Sequence, residues 1–197
     1  GRINATRRCH IVTLEDPIEY LHHDRASIVT QREIAQDTRD FASALRSVIR
    51  QDPDVILIGE MRDGETIRTA LTAAETGHLV LSTLHTTTAP QTIERILEYF
   101  TPEMRPVIRR QMVAHLRGII SQRLVPRLDG NGMIAAVELL LMNPVVSKKI
   151  LEDKLAPLKS IMHHALNEGM QTFDQHLVAL YQAGLVSFES ARDQSSN

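Results

Sequence analysis

Three short segments of this 197-residue chain place acids and histidines where a sheet of strands and helices would do chemistry. The first, Thr13-Leu14-Glu15-Asp16-Pro17-Ile18-Glu19, sets three carboxylates directly after a β-rich run, with Pro17 stopping regular pairing. The second, Asp52-Pro53-Asp54-Val55-Ile56-Leu57-Ile58-Gly59-Glu60-Met61-Arg62-Asp63, uses four apolar residues to deliver Glu60 to a strand's carboxyl end. The third runs from Thr76-Gly77-His78 through Leu79 to Leu84 and on to His85-Thr86, so that two histidines bracket one apolar run. Ligands of open α/β sheets bind beyond the carboxyl ends of the strands. An acid delivered there holds Mg²⁺ or its water shell close to a phosphate. Each segment alone also fits a charged turn or a histidine with a structural partner, and only their combination points to a polar site. A zinc site is a rival use of the histidines, but no His-Glu-x-x-His pair or further cysteine supports it.

The elements that must position these residues follow from apolar spacing. His10 to Leu14 and Val55 to Ile58 read as strands, the latter a continuous run suited to burial on both faces. Leu79 to Leu84 reads as a second buried strand. Asp37 and Thr38 offer caps to a helix with Phe41, Ala44, Leu45, Val48 and Ile49 on one face, and another helix is expected from Glu65 to Thr76 with Gly77 at its end. Helices over Pro90–Phe100 and Pro106–Ser121 precede β pieces at Arg123–Leu128 and Met133–Met142, joined by Asp129-Gly130-Asn131-Gly132 as a hairpin. From Asn143 short helices take over at Pro144–Glu152, Pro157–Asn167 and Thr172–Gln182; Thr172 with Gln175 forms a capping box, and Ser187 caps a last helix. The expected division is therefore 1–142 and 143–197, with a frayed tail from Asp193 to Asn197.

The bulk numbers exclude little. Net charge is −2, 43% of residues are hydrophobic, and there is one cysteine, Cys9, so an internal disulfide is impossible. No apolar run of membrane-spanning length occurs, and the reading is a cytosolic protein without direct membrane insertion. Arg105, Arg109, Arg110, Arg117, Arg123 and Arg127 lie in a stretch without acids, which fits a solvated face, a subunit interface or an anion site. Aromatic platforms for bases are missing there, so no nucleic-acid partner is expected.

The three motifs, in this order and spacing, resemble the aspartate box, the Walker B segment and the histidine box of the type II/IV secretion and pilus ATPase superfamily. Within it, assembly ATPases carry a four-cysteine metal motif that this chain lacks, and Asn167-Glu168-Gly169-Met170-Gln171-Thr172-Phe173-Asp174 is similar to the retraction (twitching motility) branch. One departure stands out. Where retraction ATPases have Ala-Ile-Arg-Asn-Leu-Ile-Arg-Glu, this chain has Val145-Val146-Ser147-Lys148-Lys149-Ile150-Leu151-Glu152, which brings a divergent or accessory member into view.

The resemblance implies an α/β, RecA-like P-loop ATPase core with a small C-terminal helical subdomain, using ATP and Mg²⁺. It implies Glu15 as the base orienting the attacking water, Asp16 and Glu19 shaping that site, Glu60 holding Mg²⁺ through water, and His78 and His85 at the γ-phosphate. Arg62, Arg117 and Arg123 are the candidates for an arginine serving a neighbouring subunit's nucleotide. The implied assembly is a homo-hexamer, cytoplasmic and peripheral at the inner membrane, acting on a membrane platform protein of the pilus. The phosphate-binding loop Gly-x-x-x-x-Gly-Lys-Ser/Thr does not occur in the 197 residues, and every lysine lies at Lys148 or later. In the family that loop lies shortly before residues matching Arg7-Arg8-Cys9-His10. The expectation is thus a C-terminal part of the motor domain, nearly inactive alone, with an apolar sheet edge at Leu79–Leu84 and a tendency to associate. Two other classes fit the same residues: a non-catalytic fragment docking on a ring, and a metal-dependent hydrolase built on His78, His85 and Glu60.

Overall fold

In a computed structural model the chain is described over residues 1–195; Ser196 and Asn197, the end of the tail expected to fray, lie outside the described residues. The elements in chain order are α1 (Arg2–Thr6), β1 (His10–Glu15), β2 (Ile28–Glu33), α2 (Phe41–Val48), β3 (Val55–Ile58), α3 (Gly64–Glu75), β4 (Leu79–Ser82), α4 (Ala89–Glu98) and α5 (Arg105–His115). They continue with β5 (Gly118–Pro126), β6 (Met133–Leu141), α6 (Pro144–Leu151), α7 (Leu158–His164), α8 (Phe173–Gln182) and α9 (Phe188–Asp193).

Two compact units emerge. The first comprises residues 1–85 and 98–115, the second 86–97 and 116 onward. The expected division at 143 falls inside the second unit, because the β5–β6 hairpin buries its apolar face against the helices that follow it.

The first unit is a four-stranded parallel sheet of order β2-β1-β3-β4. Parallel neighbours need crossover connections, and here α2 links β2 to β3 while α3 links β3 to β4. Register sets the strand ends level: Val12 lies beside Ile56 and Leu14 beside Ile58. These four residues are fully buried and pack with Phe41, Ala44, Leu45 and Val48 of α2 and Ala70 and Ala73 of α3. The helical spacing of the α2 residues is what turns one face to the sheet.

Three expectations about this unit need correction. The cap of α2 is Asp40, whose side chain accepts the Ser43 N–H at 2.7 Å, because Thr38 is already engaged in a bridge with Ile34. The strand Leu79–Ser82 is not buried: β4 is the sheet's outer strand, leaving Leu79 and Leu81 38% and 40% exposed while Val80 packs on the core. The helix that starts near Pro106 ends at His115, since Gly118 to Ser121 already pair with β6. At Gly118 a side chain would sit 2.9 Å from the Leu140 carbonyl oxygen, so the pairing there requires glycine.

The second unit is the antiparallel β5–β6 hairpin covered by helices. Its pairing runs without interruption from Gly118 with Leu141 to Pro126 with Met133. The Asp129–Gly132 turn uses glycines of positive φ, and the Arg127 guanidinium holds the Asp129 carboxyl down to about 2. Val125 and Ala136 meet Phe173, Leu177 and Leu180 of α8 and Val186. The Thr172–Gln175 capping box and the Ser187 cap form as expected.

Two outcomes follow. Thr172 is 2% exposed, so Thr172→Ala is expected to cost about 1–2 kcal/mol in urea unfolding; a loss well below that would mean that the reciprocal cap carries little of this helix start. Leu81→Lys puts a charge on the open edge and should reduce self-association in light scattering with circular dichroism unchanged. Unaltered association would show that the chains meet elsewhere.

Candidate functional site

Glu15 ends β1, half-buried, and its position is over-determined. Thr13 Oγ1 donates to Glu15 Oε1 at 2.6 Å, Gln31 Nε2 donates to the same oxygen at 3.0 Å, and the Glu15 carbonyl accepts Ile34 N–H at 2.8 Å. Gln31 reaches it because β2 pairs in register with β1, Thr13 beside Gln31. After Glu15 the chain turns through a cis Asp16–Pro17 bond.

Beside it, β3 hands over to Gly59 and Glu60. Gly59 N–H donates to the Leu14 carbonyl at 2.7 Å, so the two strand ends are stitched together. A Cβ at Gly59 would lie 3.1 Å from Leu14 O and 3.4 Å from Glu15 Cα, and any side chain would press the two ends apart. Pairing with the next segment also continues: Met61 N–H donates to Thr83 O at 3.2 Å, and Thr83 Oγ1 donates to Gly59 O.

The Glu60 side chain is 12% exposed and engaged on both oxygens. Oε2 meets His85 Nε2 at 3.0 Å, while Oε1 pairs with Arg62. Arg62 also reaches Asp16 Oδ2 at 3.5 Å. The line Asp16, Arg62, Glu60, His85 therefore runs across the carboxyl ends of β1 and β3 and the segment after β4. His85 itself is 91% exposed, a ring held at one nitrogen with its other face open. Asp63 closes the segment by capping α3, accepting Thr66 N–H at 2.7 Å.

Not every expected residue joins this group. His78 sits at the opposite, amino end of β4, where its Nδ1 lies 2.9 Å from the Ala73 carbonyl oxygen and 3.1 Å from Thr76 Oγ1 at the end of α3. A strand of four residues spans roughly 13 Å, so one strand cannot bring both its bracketing histidines to one site. Glu19 is exposed in the loop beyond the cis bond. Arg123 belongs to the second unit, stacked 4.1 Å over the Phe173 ring and donating to Gln194 O at 2.6 Å. Arg117 is exposed between α5 and β5.

Sequence reasoning missed Thr13 and Gln31 as the holders of Glu15, because β2 was not assigned; Ile28-Val29-Thr30 was the available β-branched signal. It also missed Glu138, a lone acid in the apolar run of β6, 2% exposed and bonded through Oε1 to Ala89 N–H at 2.8 Å. Burial pushes the Glu138 carboxyl up, against the opposing pull of the Ala89 N–H and of Arg123 and Lys159, with Asp174 adding to the rise. An acid whose folded value is raised costs no stability below the ordinary carboxylate range, and its penalty grows as pH climbs through the folded value. The stability of Glu138→Gln relative to wild type should therefore increase in thermal melts as pH rises above about 4, the ordinary carboxylate value. A constant difference would mean that Glu138 ionises as easily folded as unfolded.

Known proteins resemble this chain in sequence and fold. The family described as "Type II/IV secretion system protein" matches residues 1–179. The "Twitching motility protein" of Neisseria gonorrhoeae is 48% identical over 195 residues, 99% of this chain and 52% of that protein. The "Type IV pilus retractation ATPase PilT" of Pseudomonas aeruginosa is 47% identical over 193 residues, 98% of this chain and 56% of the other. The chain thus spans about half the length of these relatives. Among solved structures, that of the pilus retraction motor PilT with bound ADP superposes with a TM-score of 0.90 at 48% identity, covering all of this chain and 55% of that one. The Legionella pneumophila ATPase DotB gives 0.85 at 29% identity, covering 97% and 53%. The α/β, RecA-like expectation agrees with both superpositions.

Proposed function

The chain belongs to the type II/IV secretion system protein family, and on that premise we propose that it forms the C-terminal part of an ATP-hydrolysing pilus motor of the retraction type. The observation that carries this reading is the line of Asp16, Arg62, Glu60 and His85 across the carboxyl ends of neighbouring parallel strands, with Glu15 held at the end of β1. The names of the relatives, twitching motility protein and retraction ATPase, support the choice of branch.

In this reading Glu15 accepts the proton of the attacking water. Thr13 and Gln31 both donate to one of its oxygens, which fixes the carboxylate and leaves the other oxygen to orient that water. Glu60, a hard oxygen donor, is the carboxylate that would hold Mg²⁺ through water, its present partners Arg62 and His85 giving way. Bound there, Mg²⁺ neutralises charge on the transferring phosphoryl group. His85 contacts the γ-phosphate with its open face, and Arg62 shifts between Glu60, Asp16 and the nucleotide. His78 falls outside the site, and Arg123, held by Phe173 and Gln194, gives way to Arg62 or Arg117 as the arginine serving a neighbouring subunit.

The phosphate-binding loop Gly-x-x-x-x-Gly-Lys-Ser/Thr does not occur in these 197 residues, and we assign the open edge of β4 to a strand that carries such a loop. Without it the chain should bind nucleotide weakly and turn over almost none. The working form is a ring of six, cytoplasmic and peripheral at the inner membrane, which passes subunit motion to a membrane platform protein of the pilus. Among the described residues no helix is long and apolar enough to cross a membrane.

The test is Mg-ATP turnover by a polypeptide that joins this chain to an upstream phosphate loop, beside its Glu15→Gln variant and the 197-residue chain. Turnover is expected only with the loop, falling about 10²- to 10⁴-fold in Glu15→Gln, the range of a lost general base. Well-folded forms with no activity would instead favour an interaction module.

A further inference from the structure

Glu138 takes no part in the site above, yet it is the acid the second unit buries most completely, 2% exposed on β6. Its Oε1 accepts the N–H of Ala89, itself fully buried, at the first residue of α4. The first turn of a helix leaves amide hydrogens without partners inside the helix, and a carboxylate is the strongest acceptor for them. The helix's own side chains offer little here: the Thr88 hydroxyl reaches Gln91 N–H only at 3.4 Å.

The three residues before Ala89 are fastened as well. Thr86 Oγ1 lies 2.7 Å from Thr92 Oγ1, Thr87 Oγ1 donates to Gln91 Oε1, and the Thr88 carbonyl accepts the Thr92 hydroxyl at 3.0 Å. All these bonds fold the segment back onto α4, whereas the Glu138 bond ties it to another element. In the chain this segment follows His85 directly. The charged groups facing Glu138 are Arg123 from β5, Lys159 from α7 and Asp174 from α8. Arg123 is committed to Phe173 and Gln194, and Lys159 pairs with Asp174 at 3.4 Å. An amide would accept the same N–H without burying a charge, so the carboxylate is the costlier and the stiffer choice.

We propose that Glu138 is a positioning residue: its carboxylate clasps the start of α4, holds Thr86–Ala89 in place, and thereby limits the freedom of the histidine that precedes them. The importance of that histidine rests on the function proposed above. The clasp itself does not.

Amide hydrogen exchange and two-dimensional NMR on the 197-residue chain test it, comparing wild type with Glu138→Gln, Glu138→Ala and Glu138→Asp. Loss of the acceptor in Glu138→Ala should speed Ala89 exchange by about tenfold or more, the scale of a charge-assisted hydrogen bond. Signals of Thr86–Thr88 and of the His85 ring should broaden with it. Glu138→Asp keeps charge and most of the volume but withdraws the oxygen, and should loosen Ala89 likewise, whereas Glu138→Gln should keep Ala89 protected. Amides of α8 should be unaffected in every variant. The proposal is overturned by full Ala89 protection in both the Ala and Asp variants, by a uniform loss that includes α8, or by a His85 ring unmoved when Ala89 is released. None of these readings involves ATP, so failure of the clasp and failure of the motor assignment are told apart.

Discussion

The hydrogen bond from Gly59 N–H to the Leu14 carbonyl, 2.7 Å long, is the contact on which the site depends. It extends the β1–β3 pairing one step past the last paired residues, Leu14 and Ile58, and so sets Glu15 beside Gly59, with Glu60 one residue further on. A parallel pair has no freedom to slip here, because Val12, Leu14, Ile56 and Ile58 are all fully buried and a one-residue shift would turn them to the wrong face. Burial of apolar strand residues thus fixes where Glu15 and Glu60 leave the sheet. Gly59 eases the approach of the strand ends, since a Cβ there would press on the Leu14 carbonyl oxygen at 3.1 Å.

From that constraint the rest of the site follows as electrostatics. A carboxylate that is 12% exposed needs partners, and Glu60 has two, the exposed His85 and Arg62. Both come from solvent-facing positions. Glu15 is different. Its Thr13 and Gln31 bonds come from residues within the sheet, which suits a group that must hold a water in one orientation while charge develops elsewhere.

Much of this was legible in the sequence because strand ends leave a local signature: an apolar run, then an acid. The runs before Glu15 and Glu60 announced both carboxylates, and the helical spacing of Phe41 to Val48 announced what covers the sheet. Lateral order is not in the apolar runs themselves; the edge at Leu79–Leu84 is expected from the family resemblance alone. Leu79 to Ser82 looks as apolar as Val55 to Ile58, yet one is an edge and the other is central, a distinction made by neighbours rather than composition. For the same reason both histidines of Thr76–Thr86 looked like site residues, although a strand's length separates them and only His85 reaches Glu60. Gln31 and Glu138 act through partners 16 and 49 residues away, beyond any local pattern.

The central claim is that the nucleotide and its metal lie at the carboxyl ends of β1 and β3. Paramagnetic broadening by Mn²⁺ with ADP addresses it most directly, on the chain joined to a phosphate loop and with assigned histidine ring signals. The account predicts that the His85 ring is broadened while the His78 ring at the far end of β4 stays sharp. Equal broadening of both rings, or of His78 alone, would contradict it.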